Sequence, residues 1–136
     1  MPTRVRLEIR LREGEGGVTV KALVNTGFTS ETPDLAIPVS LAERLGLWPK
    51  PRGAISVSLE TGGGPVEAYI VPQAVRVKVV TRDRTSREVV ANVLVNPYVR
   101  EALLSDALAE ELEIQILYPR RGLWRFVGED KVRESA

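Results

Sequence analysis

Alternation of apolar and polar residues is the feature of this 136-residue chain that most constrains its fold. From Val5 to Leu11 every second residue is aliphatic, and the residues between are charged. This period of two is typical of a strand with one buried face. Segments with strand character recur at 18–24, 55–59, 66–70, 75–79 and 88–95, and glycine- or proline-containing turns separate all but the last two. The sequence therefore predicts a mostly β domain with a closed or strongly bent sheet.

The strands are predicted to pair as hairpins, at 5–11 with 18–24, 55–59 with 66–70, 75–79 with 88–95, and 114–117 with 123–127. Two short helices complete the expected architecture. Ser40 and Glu43 have the spacing of a capping box, and Gly46 is suited to end that helix. Ser105 is a suitable N-cap for a second helix over residues 106–112.

Length and composition indicate one globular domain, which we place at residues 1–127, followed by a loose, polar C-terminal tail at 128–136. Hydrophobic residues make up 43% of the chain, charged residues 27%, and the net charge is +1. A balance so close to zero gives no general attraction to nucleic acid or membranes. We find no apolar run of membrane-spanning length and no signal-peptide core, so a cytoplasmic protein is expected. Arginine-rich composition with few Asn, Gln and Met residues is found in some thermophilic proteins.

The absence of both Cys and His removes several kinds of chemistry. Disulfides, thiolate nucleophiles, Ser-His-Asp triads and the common zinc sites all require one of these residues. Acid–base chemistry in this chain must come from carboxylates, lysine or tyrosine. No metal and no organic cofactor is implied.

The stretch from Ala22 to Ser30 carries an apolar strand directly into a polar turn, Asn25-Thr26-Gly27, followed by Phe28-Thr29. Such a turn has an ordinary structural interpretation, since Asn and Gly both favour turns. It also resembles the active-site motif of the retropepsin-like aspartic peptidases, in particular "Val-Asp-Thr-Gly-Phe-Thr" of small prokaryotic and archaeal members. The order of the elements that follow is similar too, and the resemblance covers roughly Val5 to Phe126.

The resemblance implies a closed acid-protease-like β-barrel with a flap hairpin, acting as a homodimeric endopeptidase on peptides or unfolded proteins. Two such turns meet across the dimer axis in that family, and their carboxylates share one proton to activate water. A chain with one turn supplies half a site. By resemblance the catalytic positions are Asn25, where the family has Asp, Thr26 and Gly27, and the substrate-binding positions are Phe28, Thr29, Gly62, Gly63 and Gly64.

Two departures from the family pattern bear on activity. An Asn25 amide has no usable proton equilibrium and cannot act as a general base, so the chain is expected to be catalytically impaired. Asn25 is either the natural residue of a protein that has lost catalysis or a substitution of Asp. Ser105 stands after Leu103-Leu104 where the family has Gly, although Leu94-Val95-Asn96 is an alternative alignment.

Two acidic residues near these motifs have simpler interpretations. Asp34 follows Pro33 and is expected to cap or turn the chain, and Asp106 is favoured by the dipole of the helix it begins.

A different class of function stays open: a non-catalytic peptide-binding or dimerisation module on the same fold. A weaker alternative is a nucleic-acid accessory protein, because arginines surround Trp124 and fill the loop at residues 82–87. Acidic residues nearly cancel that charge, so a solvated, ion-paired surface is the better interpretation and no nucleic-acid partner is expected.

Overall fold

The computed structural model describes residues 2–24 and 27–136 of the chain. The helices are α1, Val39–Leu45, and α2, Asp106–Glu111. The strands, in chain order, are β1 Thr3–Leu11, β2 Gly17–Val24, β3 Asp34–Ile37, β4 Ile55–Thr61, β5 Gly64–Val79, β6 Val89–Val95, β7 Ala102–Leu104, β8 Ile114–Tyr118, β9 Leu123–Phe126 and β10 Arg133–Glu134.

Six strands close into a barrel in the order β1-β2-β7-β3-β6-β5, and β5 pairs back onto β1. The predicted mostly β, closed-barrel fold with two short helices is therefore confirmed. Strand β4 lies outside the ring and pairs with β5, so the hairpin predicted between 55–59 and 66–70 is present. The segments predicted at 66–70 and 75–79 form one long strand, β5, with an irregularity in register between Val71 and Val75. The short strands β3 and β7 were not predicted.

The alternating residues fill the interior of the barrel. On β1 the side chains of Val5, Leu7 and Ile9 are at most 1% exposed, and the intervening residues are not buried. Helix α2 contacts β3, β6 and β8, while the smaller sheet β10-β9-β8 adds the buried Phe126. The same period that identifies these strands in the sequence thus supplies the hydrophobic core.

The capping-box prediction for α1 is wrong. The helix begins two residues earlier than that motif requires, with Pro38 rather than Ser40 as N-cap, and no side chain caps it. The amide of Ala42 donates to the carbonyl of Pro38 at 3.0 Å, so the proline with its fixed φ sets the start of the helix. The predicted end is confirmed, because Gly46 adopts the left-handed conformation with φ 75°.

The prediction of a loose C-terminal segment is also wrong. Strand β10 pairs with β9, and Arg133 is only 8% exposed. Its guanidinium is ion-paired with Asp83 and Glu129 and lies over the ring of Phe126. A segment that looks polar and unconstrained in the sequence is held in place because its partners come from two other parts of the chain.

Candidate active site

The candidate site begins where β2 leaves the barrel. Ala22 and Val24 are buried and fix the direction of the strand as it enters the turn. Asn25 and Thr26 lie outside the described residues. Gly27 is exposed and has φ 80°, a conformation that favours glycine, and a Cβ there would meet no atom within 4 Å. The glycine is therefore needed for its backbone conformation rather than for space.

Strand β7 lies beside β2 and runs parallel to it, with Ala22 opposite Ala102 and Leu23 opposite Leu103. Its other neighbour is β3, which is antiparallel and pairs Leu35 with Leu104. Since parallel strands end at the same edge of a sheet, Ser105 and the segment that leads to Gly27 follow their strands at the same end.

Ser105 is fully buried at this edge and connects three parts of the chain. Its hydroxyl accepts hydrogen bonds from the amide of Asp34 at 3.0 Å and from the amide of Leu108 at 3.2 Å. It also lies 3.3 Å from the carbonyl oxygen of Thr32, to which it can donate. Ser105 is the N-cap of α2, as predicted, and it ties that helix to the loop that follows the candidate turn.

Two segments are candidates for the position where the retropepsin-like peptidases have Gly. Only one of them lies beside β2, the strand that leads into the candidate turn. The Leu103-Leu104-Ser105 segment is on β7, next to β2. Asn96 follows β6 instead, and its amide donates to Ile37 at the opposite end of β3. The length of β3 separates the two positions by roughly 10 Å at about 3.3 Å per residue.

The loop from Phe28 to Asp34 is held at both ends. The amide of Asp106 donates to the carbonyl of Phe28 at 2.9 Å, which anchors the start of the loop on α2. At the other end the carboxylate of Asp34 accepts hydrogen bonds from Ser30 Oγ, from Thr32 Oγ1 at 2.9 Å and from Asn92 Nδ2 at 2.8 Å. Asp34 therefore organises the loop, a wider role than the local cap expected from the sequence.

The sequence does not indicate Asn92 as a site residue, and it predicts Asp34 only as a residue that caps or turns the chain. A partial signal exists, because Ser30, Thr32 and Asp34 are short polar residues at alternating positions directly after the motif. Asn92 gives no comparable local signal, since its side chain reaches this loop only through the parallel pairing of β6 with β3.

The second group of predicted residues lies on the β4–β5 hairpin. The pairing runs from Ile55 opposite Ile70 to Thr61 opposite Gly64, so Gly62 and Gly63 form the exposed tip. Gly64 has φ 106°, which again favours glycine. The predicted substrate-binding residues thus belong to two segments, the loop after β2 and the tip of this hairpin.

Carboxylates with perturbed pKa values lie elsewhere and have structural partners. The Arg133 guanidinium donates to Asp83 and holds the pKa of that carboxyl far below its usual value. Hydrogen bonding to Arg4 lowers the pKa of Glu101 in the same way. Asp106 is exposed in the first turn of α2. Hydrogen bonds from these arginines favour the ionised forms of Asp83 and Glu101, whereas a carboxyl that shares a proton has a raised pKa.

Several of the arginines considered for nucleic-acid binding have partners within the chain. Arg84 pairs with Glu129 at 3.3 Å and lies 4.5 Å from the centre of the Phe126 ring. Arg87 donates to the carbonyl of Glu111, and Arg125 donates to the side chain of Gln115. The side-chain contacts are those expected of an ion-paired, solvated surface.

Comparison with known proteins assigns no family. The chain matches no protein-family model and has no significant match among curated proteins. Within residues 2–24 and 27–136, neither helix is long and apolar enough to cross a membrane.

Proposed function

We propose that this chain is a retropepsin-like aspartic endopeptidase scaffold that acts on peptide bonds as a homodimer and is catalytically impaired because Asn25 replaces the acid. Each subunit would contribute one Asn25-Thr26-Gly27 turn, and the two turns would meet at the dimer axis. Phe28, Thr29 and the hairpin tip at Gly62–Gly64 would contact an extended peptide.

One structural observation carries the proposal. Strand β2 ends at one edge of a closed barrel, directly before the motif in the sequence, and its parallel neighbour β7 ends at that same edge and leads through buried Ser105 into α2. Gly27 and Phe28 thus follow the end of β2, and the amide of Asp106 in α2 donates to the carbonyl of Phe28 at 2.9 Å. A simple surface turn would not require this arrangement.

The chemistry explains why residue 25 decides the activity. Two carboxylates a few ångströms apart share one proton, so one can remove a proton from water while the other donates to the peptide carbonyl. Two amides can hold water or a peptide carbonyl by hydrogen bonds, but they cannot exchange that proton. The protein with Asn25 is expected to bind peptides without cleaving them.

The decisive experiment restores the acid. Asn25→Asp and the matched control Asn25→Ala are incubated with a denatured protein and a broad peptide library between pH 3 and pH 7. Cleavage by Asn25→Asp alone, with a bell-shaped pH profile, supports the proposal. A folded, dimeric Asn25→Asp protein that cuts nothing in the library would overturn it.

The presence of Asn25 itself favours a second function, a non-catalytic peptide-binding module on the same scaffold. In that case the unaltered chain binds extended peptides and gains no activity from Asn25→Asp. Fluorescence anisotropy with labelled library peptides measures the binding, and competition by unlabelled peptide tests its specificity. Binding without restored cleavage would select this function over the peptidase.

A further inference from the structure

We propose that Asp34 and Asn92 are positioning residues that fix the loop after the candidate turn relative to β5, the strand that carries the glycine-tipped hairpin. The inference rests on the proposed function, because it assigns the loop and the hairpin to two sides of one peptide-binding cleft. The pair is called the Asp34–Asn92 latch below.

The first part of the latch is the carboxylate of Asp34, on which the side-chain hydrogen bonds of the loop converge. Ser30 and Thr32 both donate their hydroxyls to it, and Ser105 supports the backbone of the same residue. Hydrogen bonds to an ionised acceptor are about twice as strong as neutral ones. The loop conformation therefore depends on this side chain, because two hydroxyl groups of the loop donate to it.

The second part is the amide of Asn92, which lies on β6 between β3 and β5. Its Nδ2 donates to Asp34 Oδ1 at 2.8 Å, and its Oδ1 accepts from the backbone amide of Gln73 at 2.8 Å. The carboxylate can only accept and the backbone amide can only donate. The Asn92 side chain consequently has one orientation and links the loop to β5 directly.

The position of Gln73 determines which part of β5 this link holds. It lies in the irregular segment of β5, with φ 47°, between the part that pairs with β4 and the part that pairs with β1. Its own side chain accepts from Arg12 at 2.9 Å. The latch thus holds β5 between its first part, which forms the hairpin with β4, and its second part, which pairs with β1 in the barrel. Bulges commonly mark such changes of direction.

A charge swap tests the latch. Asn92→Asp places two carboxylates against each other, and Asp34→Asn removes the charged acceptor. In the double variant Asp34→Asn/Asn92→Asp, the new amide at position 34 can donate to the new carboxylate at position 92. That carboxylate can still accept from the backbone amide of Gln73. Hydrogen–deuterium exchange is followed in peptides covering 28–34 and 70–74, with Gln115→Ala as the control, since it removes a side-chain hydrogen bond on β8.

Asn92→Asp is expected to speed exchange about tenfold in both segments, while the double variant returns to within about twofold of the unaltered chain. Gln115→Ala should leave both segments unchanged. Faster exchange confined to one segment, or a double variant no better than the single ones, would overturn the latch. Comparing three variants keeps the test decisive if one of them folds poorly.

Kinetics in the Asn25→Asp background separate the latch from general stability. If the latch positions the cleft, Asn92→Asp raises KM several-fold with a smaller change in kcat, and the swap restores KM. The exchange experiment needs no catalysis, so a silent Asn25→Asp protein would refute the proposed function while the latch is still judged by exchange. An active protein whose KM and exchange ignore Asn92→Asp would refute the latch alone.

Discussion

Among single residues, Ser105 shows how one buried hydroxyl can connect a helix start to the loop of the candidate site. We expect Ser105→Ala to destabilise the protein by about 1–3 kcal/mol, because it removes the N-cap of α2 and leaves the amide of Asp34 without that acceptor. Urea unfolding measures the loss, with the exposed Ser58→Ala as the control. A Ser105→Ala protein as stable as Ser58→Ala would contradict the role assigned to the hydroxyl.

The ion pair of Asp83 with Arg133 predicts a specific pH dependence. Because the folded-state pKa of Asp83 lies below its ordinary value of 3.8, the pair stabilises the protein above that value, and the contribution is lost as the pH falls toward the folded-state pKa. Asp83→Asn should therefore be less stable than the unaltered chain at pH 6, and the difference should shrink below pH 3.8. Thermal unfolding across this range measures it, with exposed Asp130→Asn as the control. A difference that stays constant with pH would contradict the assignment.

At the scale of secondary-structure elements, we predict opposite effects for alanine substitutions at the two ends of the hairpin tip. Gly62→Ala should be tolerated, because a Cβ there meets no atom within 4 Å and the φ of Gly62 lies outside the left-handed region. Gly64→Ala should cost about 1 kcal/mol or more, since its φ of 106° strains any other residue. Hydrogen exchange in the β4–β5 hairpin compares them. Equal protection in the two variants would argue against the conformational role of Gly64.

Strand β10 supplies the second prediction at this scale. We expect Arg133→Ala to destabilise the protein by about 2–4 kcal/mol, because the buried guanidinium pairs with Asp83 and Glu129 and covers the rings of Trp124 and Phe126. Urea unfolding gives the loss, and near-ultraviolet circular dichroism reports the environment of Trp124. Arg125→Ala, which removes only the side-chain hydrogen bond to Gln115, serves as the control. Equal losses of stability in Arg133→Ala and Arg125→Ala would show that the contacts of Arg133 on β10 add little to the free energy of unfolding.

The elements also show what local patterns in the sequence could predict. The hairpins, α2 with its Ser105 cap and the core face of β1 follow from the period of two and from turn chemistry, so they were predictable. Strands β3 and β7 were missed because three or four residues are too short to establish a period. Arg133 and Asn92 give no comparable signal, since Asp83, which pairs with Arg133, and Asp34 and Gln73, which contact Asn92, lie far from them in the chain.

At the scale of the whole molecule, the proposal requires two copies of the chain to complete one site, which makes a quantitative prediction about mixtures. If cleavage needs an acid from each subunit, activity should follow the square of the fraction of Asn25→Asp chains among freely exchanging subunits. An equal mixture with the unaltered chain should retain about a quarter of the activity of pure Asn25→Asp at the same total concentration. The mixture is first denatured and refolded so that subunits redistribute, and sedimentation verifies that dimers form. Activity proportional to the first power of the Asp-bearing fraction would show that each chain works alone. It would exclude a site shared across a dimer axis even if Asn25→Asp cleaves peptides.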